Sequence, residues 1–292
     1  MTQKQANLLL VTVSMGWGTS YVFMKLCADT ISPFTTVALR FGIAFIVMVA
    51  IFFKKLIHTN IAMLKYSAIV GALLCGIFIT LMYGMKTTTA STAGFLTSST
   101  VILVPILRTF LIRKLPHKNI IYGVIIVSVG LALLIIKDDL TFSMGSLYCL
   151  VAALLYAIYI ILINSFVRQV DALLLGICQL GFACFYAIIG NFIFETPALP
   201  NEVMDWLAIL GLALICTAYG FVMQPIAQKY TSPESTGFLF SLEPIFSAVF
   251  AFVFLYENMG MQGYLGALLI LAGVFLANST SQKHPLIEEA KV

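Results

Sequence analysis

The 292-residue chain is 61% hydrophobic and 10% charged, with a mean hydropathy of +1.04, which excludes an ordinary soluble domain and identifies an integral membrane protein. Its net charge of +4 comes without a basic cluster, which argues against nucleic-acid binding. A helix crossing a hydrocarbon core of about 30 Å needs about 20 mainly apolar residues, because backbone hydrogen bonds must close within the segment.

Ten such runs follow in order, at about 8–27, 34–53, 64–85, 90–112, 120–136, 145–165, 172–194, 206–228, 234–255 and 260–278. They leave no room for a separate soluble domain. Span 1 follows Lys4 but is longer than a signal-peptide core and lacks a following A-x-A-like site, so it is expected to be retained. In it Thr12, Gly16, Thr19 and Phe23 fall near one face, with Trp17 and Ser20 beside it. Span 2 follows Pro33 and carries Arg40 about two turns inside, within snorkelling reach of an interface. Thr80 and Tyr83 lie late in span 3, and span 4 carries Thr97, Ser98, Ser99 and Thr100, then Pro105 and Arg108, the latter near the end and also able to snorkel.

Span 6 places Tyr156 and Tyr159 near its middle, away from the interfacial belt that tyrosine prefers. In span 8 Thr217, Gly220 and Gln224 share a face, with Tyr219 adjacent and Pro225 following; in span 9 Thr236, Phe240, Glu243 and Ser247 share one. These groups can line a cavity of hydroxyls and rings with few fixed charges, although serine and threonine in membranes also bond within their own helix or to a neighbour. Expected lining residues are Trp17, Thr19, Ser20, Thr80, Tyr83, Thr97, Thr100, Tyr156, Tyr159, Thr217, Tyr219, Gln224, Phe240 and Glu243. Such a cavity favours zwitterionic or cationic amphipathic molecules over anions.

Glu243 is the sharpest signal, since a charge deep in a span costs at least about 2.5 kcal/mol and must be neutralised, paired or wetted. It is either a protonatable or cargo-facing carboxylate or a structural acceptor for a neighbouring helix. Pro244 follows it directly, disfavours helical geometry at Glu243 and predicts a kink; Pro105 and Pro225 predict similar hinges.

Lysines and arginines set the orientation. With the N-terminus inside, the inner segments hold Lys4, Lys54, Lys55, Lys65, Arg113, Lys114, Lys118, Arg168, Lys229, Lys283 and Lys291, against Lys25, Lys86 and Lys137 outside. Both termini are therefore expected to be cytoplasmic. Six prolines, Pro33, Pro116, Pro197, Pro200, Pro233 and Pro285, fall in or beside loops. The six cysteines lie in apolar runs without C-x-x-C spacing, and the three histidines, His58, His117 and His284, fall in loops or the tail. No metal, cofactor or disulfide frame is expected, and an intramembrane enzyme is disfavoured. No Walker A loop is present to drive pumping with ATP.

The chain also repeats. Lys86, Gly94-Phe95-Leu96, Ser98, Gly123 and Gly130 recur 143 positions later as Lys229, Gly237-Phe238-Leu239, Ser241, Gly266 and Gly273. Five helices per half is an odd number, so the second half, 140–292, is expected to sit inverted relative to the first, 1–139.

Trp17-Gly18, Arg40-Phe41, Tyr83-Gly84 with Lys86, Ser91 to Gly94, Ser241-Leu242-Glu243-Pro244, Glu257 and Gln262 with Gly266 and Gly273 together resemble the drug/metabolite transporter superfamily, specifically its ten-helix EamA-type carriers. The resemblance covers essentially the whole chain. It implies two inverted five-helix halves around a central cavity and alternating access, often for export of amino acids, metabolites or drugs. The chain departs from the family where Arg113-Lys114 stands in place of an acidic residue after span 4. The expected function is a secondary carrier in a bacterial-type inner membrane, exporting a small amphipathic metabolite such as an amino acid. Proton coupling is possible, and the carrier is a monomer or homodimer. A uniporter of the same fold, a lipid-flippase subunit and a membrane enzyme are the alternatives.

Overall fold

The structure is a computed structural model that describes residues 1–57, 59–112, 118–135, 143–231, 236, 239, 240 and 242–278. Several residues singled out above lie outside the described residues: His58, His117, His284, Arg113, Lys114, Pro116, Pro233, Pro285, Lys137, Lys283, Lys291, Gly237, Phe238 and Ser241.

The described residues form helices and no strand. In chain order these are α1 (Gln3–Cys27), α2 (Pro33–Leu56), α3 (Ile61–Met85), α4 (Ala90–Ser98), α5 (Thr100–Ile112), α6 (Lys118–Ile135), α7 (Met144–Phe166) and α8 (Ala172–Phe194). Then come α9 (Val203–Gly211), a π-helical stretch (Leu212–Tyr219), α10 (Gly220–Gln228), α11 (Glu243–Leu255) and α12 (Gly260–Asn278). Six rods are long and apolar enough to cross a membrane on length and composition alone: Pro33–Leu56, Ile61–Met85, Ala90–Leu111, Met144–Phe166, Ala172–Phe194 and Val203–Gln228. The more polar α1 and the shorter apolar helices within α6, α11 and α12 complete the set of ten. The protein is a multi-pass membrane protein.

Local chemistry starts these helices. Thr2 and Gln5 form a reciprocal capping box at α1, and the side chains of Asn60, Thr89 and Asp171 cap α3, α4 and α8. Large apolar side chains such as Ile46, Phe53, Phe110, Phe192 and Phe252 stay exposed, as a lipid-facing surface requires.

The inner core joins α1, α2, α3, α7, α8 and α10. On the flank, α6 packs on α12 through glycines. A Cβ at Gly130 would stand 2.7 Å from the Gly266 carbonyl oxygen, and one at Gly273 2.8 Å from that of Gly123. Small residues let backbones approach where no water drives helices together.

In spans 4 and 8 the helix irregularities lie away from the prolines. Span 4 is interrupted at Ser99, between α4 and α5, and α5 runs helical through Pro105. Ser98 and Ser99 turn their hydroxyls back onto the carbonyls of Phe95 (2.6 Å) and Leu96 (2.7 Å), and Thr100 donates instead to Ala153 of α7 (3.0 Å). Hydroxyls that bond locally compete with the helical ladder. In span 8 the irregularity is the π-helical stretch that precedes α10, and α10 contains Pro225. Proline removes the donor that would reach the Phe221 carbonyl, and Gln179 Nε2 supplies one at 2.9 Å. Pro244 stands in the first turn of α11, where its missing N–H is least costly, and span 9 is interrupted at Leu242, just before it.

Candidate functional site

The face of α1 that meets the core is set by Trp17, Ser20, Tyr21 and Met24, spaced i, i+3, i+4 and i+7. These four share a small cavity with Ile77, Phe78 and Leu81 of α3, Thr97 of α4, Tyr156 of α7, Phe221 of α10 and Glu243 of α11. The space open to the centre of a water-sized sphere is about 20 Å³, room for about one water molecule. Cargo the size of a metabolite needs the helices to part.

Glu243 is 8% exposed and accepts a 2.7 Å hydrogen bond from the Tyr21 hydroxyl. As the first residue of α11 it also lies at a helix N-terminus, where backbone N–H groups favour an anion. Trp17 is the hub of the aromatic wall, with ring centroids 4.8 Å from Phe221, 4.8 Å from Phe240 and 5.9 Å from Tyr156. Its indole N–H donates to the Cys216 carbonyl at 2.8 Å, within the π-helical stretch, a kind of local irregularity often found at functional sites.

Arg40 overturns the snorkelling expectation. It is 1% exposed and reaches inward: Nε donates to Thr217 Oγ1 at 2.9 Å, and the guanidinium lies 4.0 Å from the centroid of the Phe78 ring.

Of the residues expected from sequence, Trp17, Ser20, Thr97, Tyr156 and Glu243 line the cavity. Phe240 stands behind Trp17 and Tyr156 in the aromatic wall. Thr217 holds Arg40, while Tyr159 and Gln224 form a buried polar group with Gln179, at 3.0 Å for Tyr159–Gln179 and 3.5 Å for Tyr159–Gln224. The rest are not among the residues lining this cavity. Thr80 bonds to Gly76 and Ile77 of its own helix, Thr100 to Ala153, and Tyr83 to Glu195. The Thr12, Gly16, Thr19 and Phe23 stripe lies against α9 and the π-helical stretch: Thr12 meets the Tyr219 hydroxyl (2.6 Å), Gly16 and Thr19 meet Cys216, and Phe23 covers Gly211. Tyr219 is accordingly 36% exposed at the bundle surface. Small and hydroxyl residues at four-residue spacing make a helix-packing seam as readily as a binding face.

Tyr21 was not expected in the lining, although its i+4 spacing from Trp17 was the available signal, and Arg40 was expected within reach of the interface.

At one end of the bundle Glu257 clamps α4. Its Oε1 accepts from Ala90 N (2.9 Å) and its Oε2 from Ser91 N (3.0 Å) and Ser91 Oγ (2.8 Å). Tyr256, left-handed at φ 53°, makes the turn that brings it there, a costly conformation for a residue with a side chain. At the same end Lys25 Nζ donates to the carbonyls of Met85 (2.9 Å) and Thr88 (3.2 Å).

Close backbone approach fixes the wall. A Cβ on Gly220 would collide with the Trp17 indole, so Gly220→Ala should displace Trp17 and destabilise the protein by about 1–3 kcal/mol. A lowered unfolding temperature in detergent checks this; an unchanged one would show that Trp17 is not held there.

Residues 4–136 and 143–279 each match the EamA-like transporter family, a branch of the drug/metabolite transporters. The chain belongs to the EamA-like transporter family. Relatives of this EamA-like transporter include an Archaeoglobus fulgidus protein named an uncharacterized transporter, 28% identical over 273 residues, which span 94% of this chain and 85% of that one. Another is the uncharacterized transporter YetK of Bacillus subtilis, 24% identical over 279 residues, with 89% and 82% covered. A solved crystal structure 18% identical in sequence superposes with a TM-score of 0.70 over 94% of this chain and 96% of its own, a likeness of fold.

Proposed function

We propose that this EamA-like transporter is a secondary carrier that exports a small amphipathic metabolite, such as an amino acid, across the cytoplasmic membrane by alternating access. The observation that carries the proposal is the central cavity: aromatic and hydroxyl groups from five rods converge with one buried carboxylate, Glu243, on a space too small for cargo in this conformation.

Two inverted halves, 1–139 and 140–292, supply the machinery. Features related by a shift of 143 support them. The Gly123/Gly130 pair of α6 meets its counterparts Gly266/Gly273 of α12 reciprocally. The packing of α3 on α7 has its counterpart in the packing of α1 along α9, the π-helical stretch and α10. The break at Ser99 has Leu242, just before α11, as its counterpart. The basic residues support cytoplasmic termini. In that orientation the Glu257 and Lys25 contacts close the outer end, and release of cargo outward requires both to part.

Purified protein in liposomes loaded with unlabelled amino acids tests the function. A carrier gives saturable uptake of labelled amino acid that is stimulated by cargo on the other side. Uptake that never saturates and ignores trans cargo would replace the carrier with a facilitator.

A further inference from the structure

Arg40 has too few partners for a buried charge. Its Nε is taken by Thr217 (2.9 Å), its Nη1 points at the Met24 thioether sulfur (3.7 Å), and its planar face lies over Phe78. Its Nη2 has no hydrogen-bond partner among the described residues. A thioether is a weak acceptor, and a buried cation without an anion carries a penalty of several kcal/mol that an aromatic face only partly offsets.

Met24 and Phe78, which cover the guanidinium, also line the central cavity, and so does Glu243. Arg40 and Glu243 do not bond to each other: the carboxylate takes Tyr21 and the guanidinium takes Thr217. Glu243 thus lines the apolar space and Arg40 stands behind its Met24 and Phe78 wall, each with capacity left for a ligand.

We infer that Arg40 is the anion-binding pole of the cargo site, that Glu243 is its cation-binding pole, and that the cargo is accordingly a zwitterion. This rests on the carrier function proposed above and narrows its cargo. The carboxylate of the cargo reaches the free Nη2 edge as the flexible Met24 side chain moves aside. Thr217 holds Nε and so fixes the plane of the guanidinium fork for a carboxylate. The ammonium group goes to Glu243, and the apolar body lies on Trp17, Ile77, Phe78 and Phe221.

The test uses two zwitterions with short and long charge separation, L-leucine and 6-aminohexanoate. Each is compared with its amide, which lacks the carboxylate, and with its deaminated acid, 4-methylpentanoate or hexanoate. Thermal unfolding of purified protein is read at about pH 6, where every amine is protonated. At least one zwitterion should stabilise the wild-type protein at about tenfold lower concentration than its amide and its deaminated acid. Arg40→Gln should erase the preference over the amide while keeping that over the deaminated acid, and Arg40→Lys should retain part of it.

Amides as effective as their zwitterions in both pairs on the wild-type protein overturn the inference, as does stabilisation by no zwitterion, or a preference that survives Arg40→Gln. The wild-type comparison decides alone if Arg40→Gln does not fold. Flux in liposomes separates this from the carrier function: saturable flux of amides and zwitterions alike keeps the carrier and removes the two poles. Selective binding without flux keeps the poles and removes the carrier.

Discussion

Glu243→Gln should yield a folded protein whose transport has lost its dependence on pH and whose flux falls by about tenfold or more. Glutamine keeps the size of the side chain and an oxygen for the Tyr21 hydroxyl, which now bonds the carboxylate at 2.7 Å. What it removes is the charge and the titration. A carboxylate at membrane depth is costly unless it is neutralised, paired or wetted, and here it lines the cavity together with Tyr21 and Tyr156, the other titratable side chains of the lining. If protonation of Glu243 is linked to cargo occupancy, a side chain that cannot ionise uncouples the two. A rate-versus-pH curve in proteoliposomes reads the effect. An unaltered profile makes Glu243 a structural acceptor for Tyr21, and loss of the folded protein says the same.

Glu257→Gln should act on the conformational equilibrium and leave the cavity intact. The carboxylate receives three hydrogen bonds from the first residues of α4, and its charge opposes the positive end of that helix. Capping and dipole interactions of this kind contribute about 0.5–2 kcal/mol. Removing the charge while keeping one acceptor oxygen should favour the outward-open state several-fold. With the six native cysteines replaced, a thiol placed at Ser20 in the cavity lining should react faster with an impermeant reagent from outside in Glu257→Gln than in the parent. Equal rates would mean that the clamp does not hold the outer end.

Periodicity and composition made the rods legible: the apolar runs expected at 34–53, 145–165 and 172–194 correspond to Pro33–Leu56, Met144–Phe166 and Ala172–Phe194. Breaks were harder, because proline is only one way to interrupt a helix. Span 4 is interrupted at Ser99 without one, where the hydroxyls of Ser98 and Ser99 bond back to their own helix, and Gln179 replaces the donor that Pro225 lacks. Cavity-lining residues were legible where burial is costly, as at Glu243, and ambiguous where a residue type serves both packing and binding, as at Thr19 and Tyr219. Arg40 was misjudged because distance along a helix says how far a side chain can snorkel and nothing about what pulls it inward. Here Thr217 and Phe78, distant in sequence, do so.

In the proposed transport cycle the cavity around Trp17 and Glu243 opens alternately to the two sides of the membrane. The most direct measurement is the reactivity of the Ser20→Cys thiol toward an impermeant reagent applied to right-side-out and to inside-out vesicles, with and without transported amino acid. Alternating access gives reaction from both sides in exclusive states, so that a condition raising the rate from one side lowers it from the other. Rates that rise and fall together on both sides, or reaction from one side only under every condition, would contradict it.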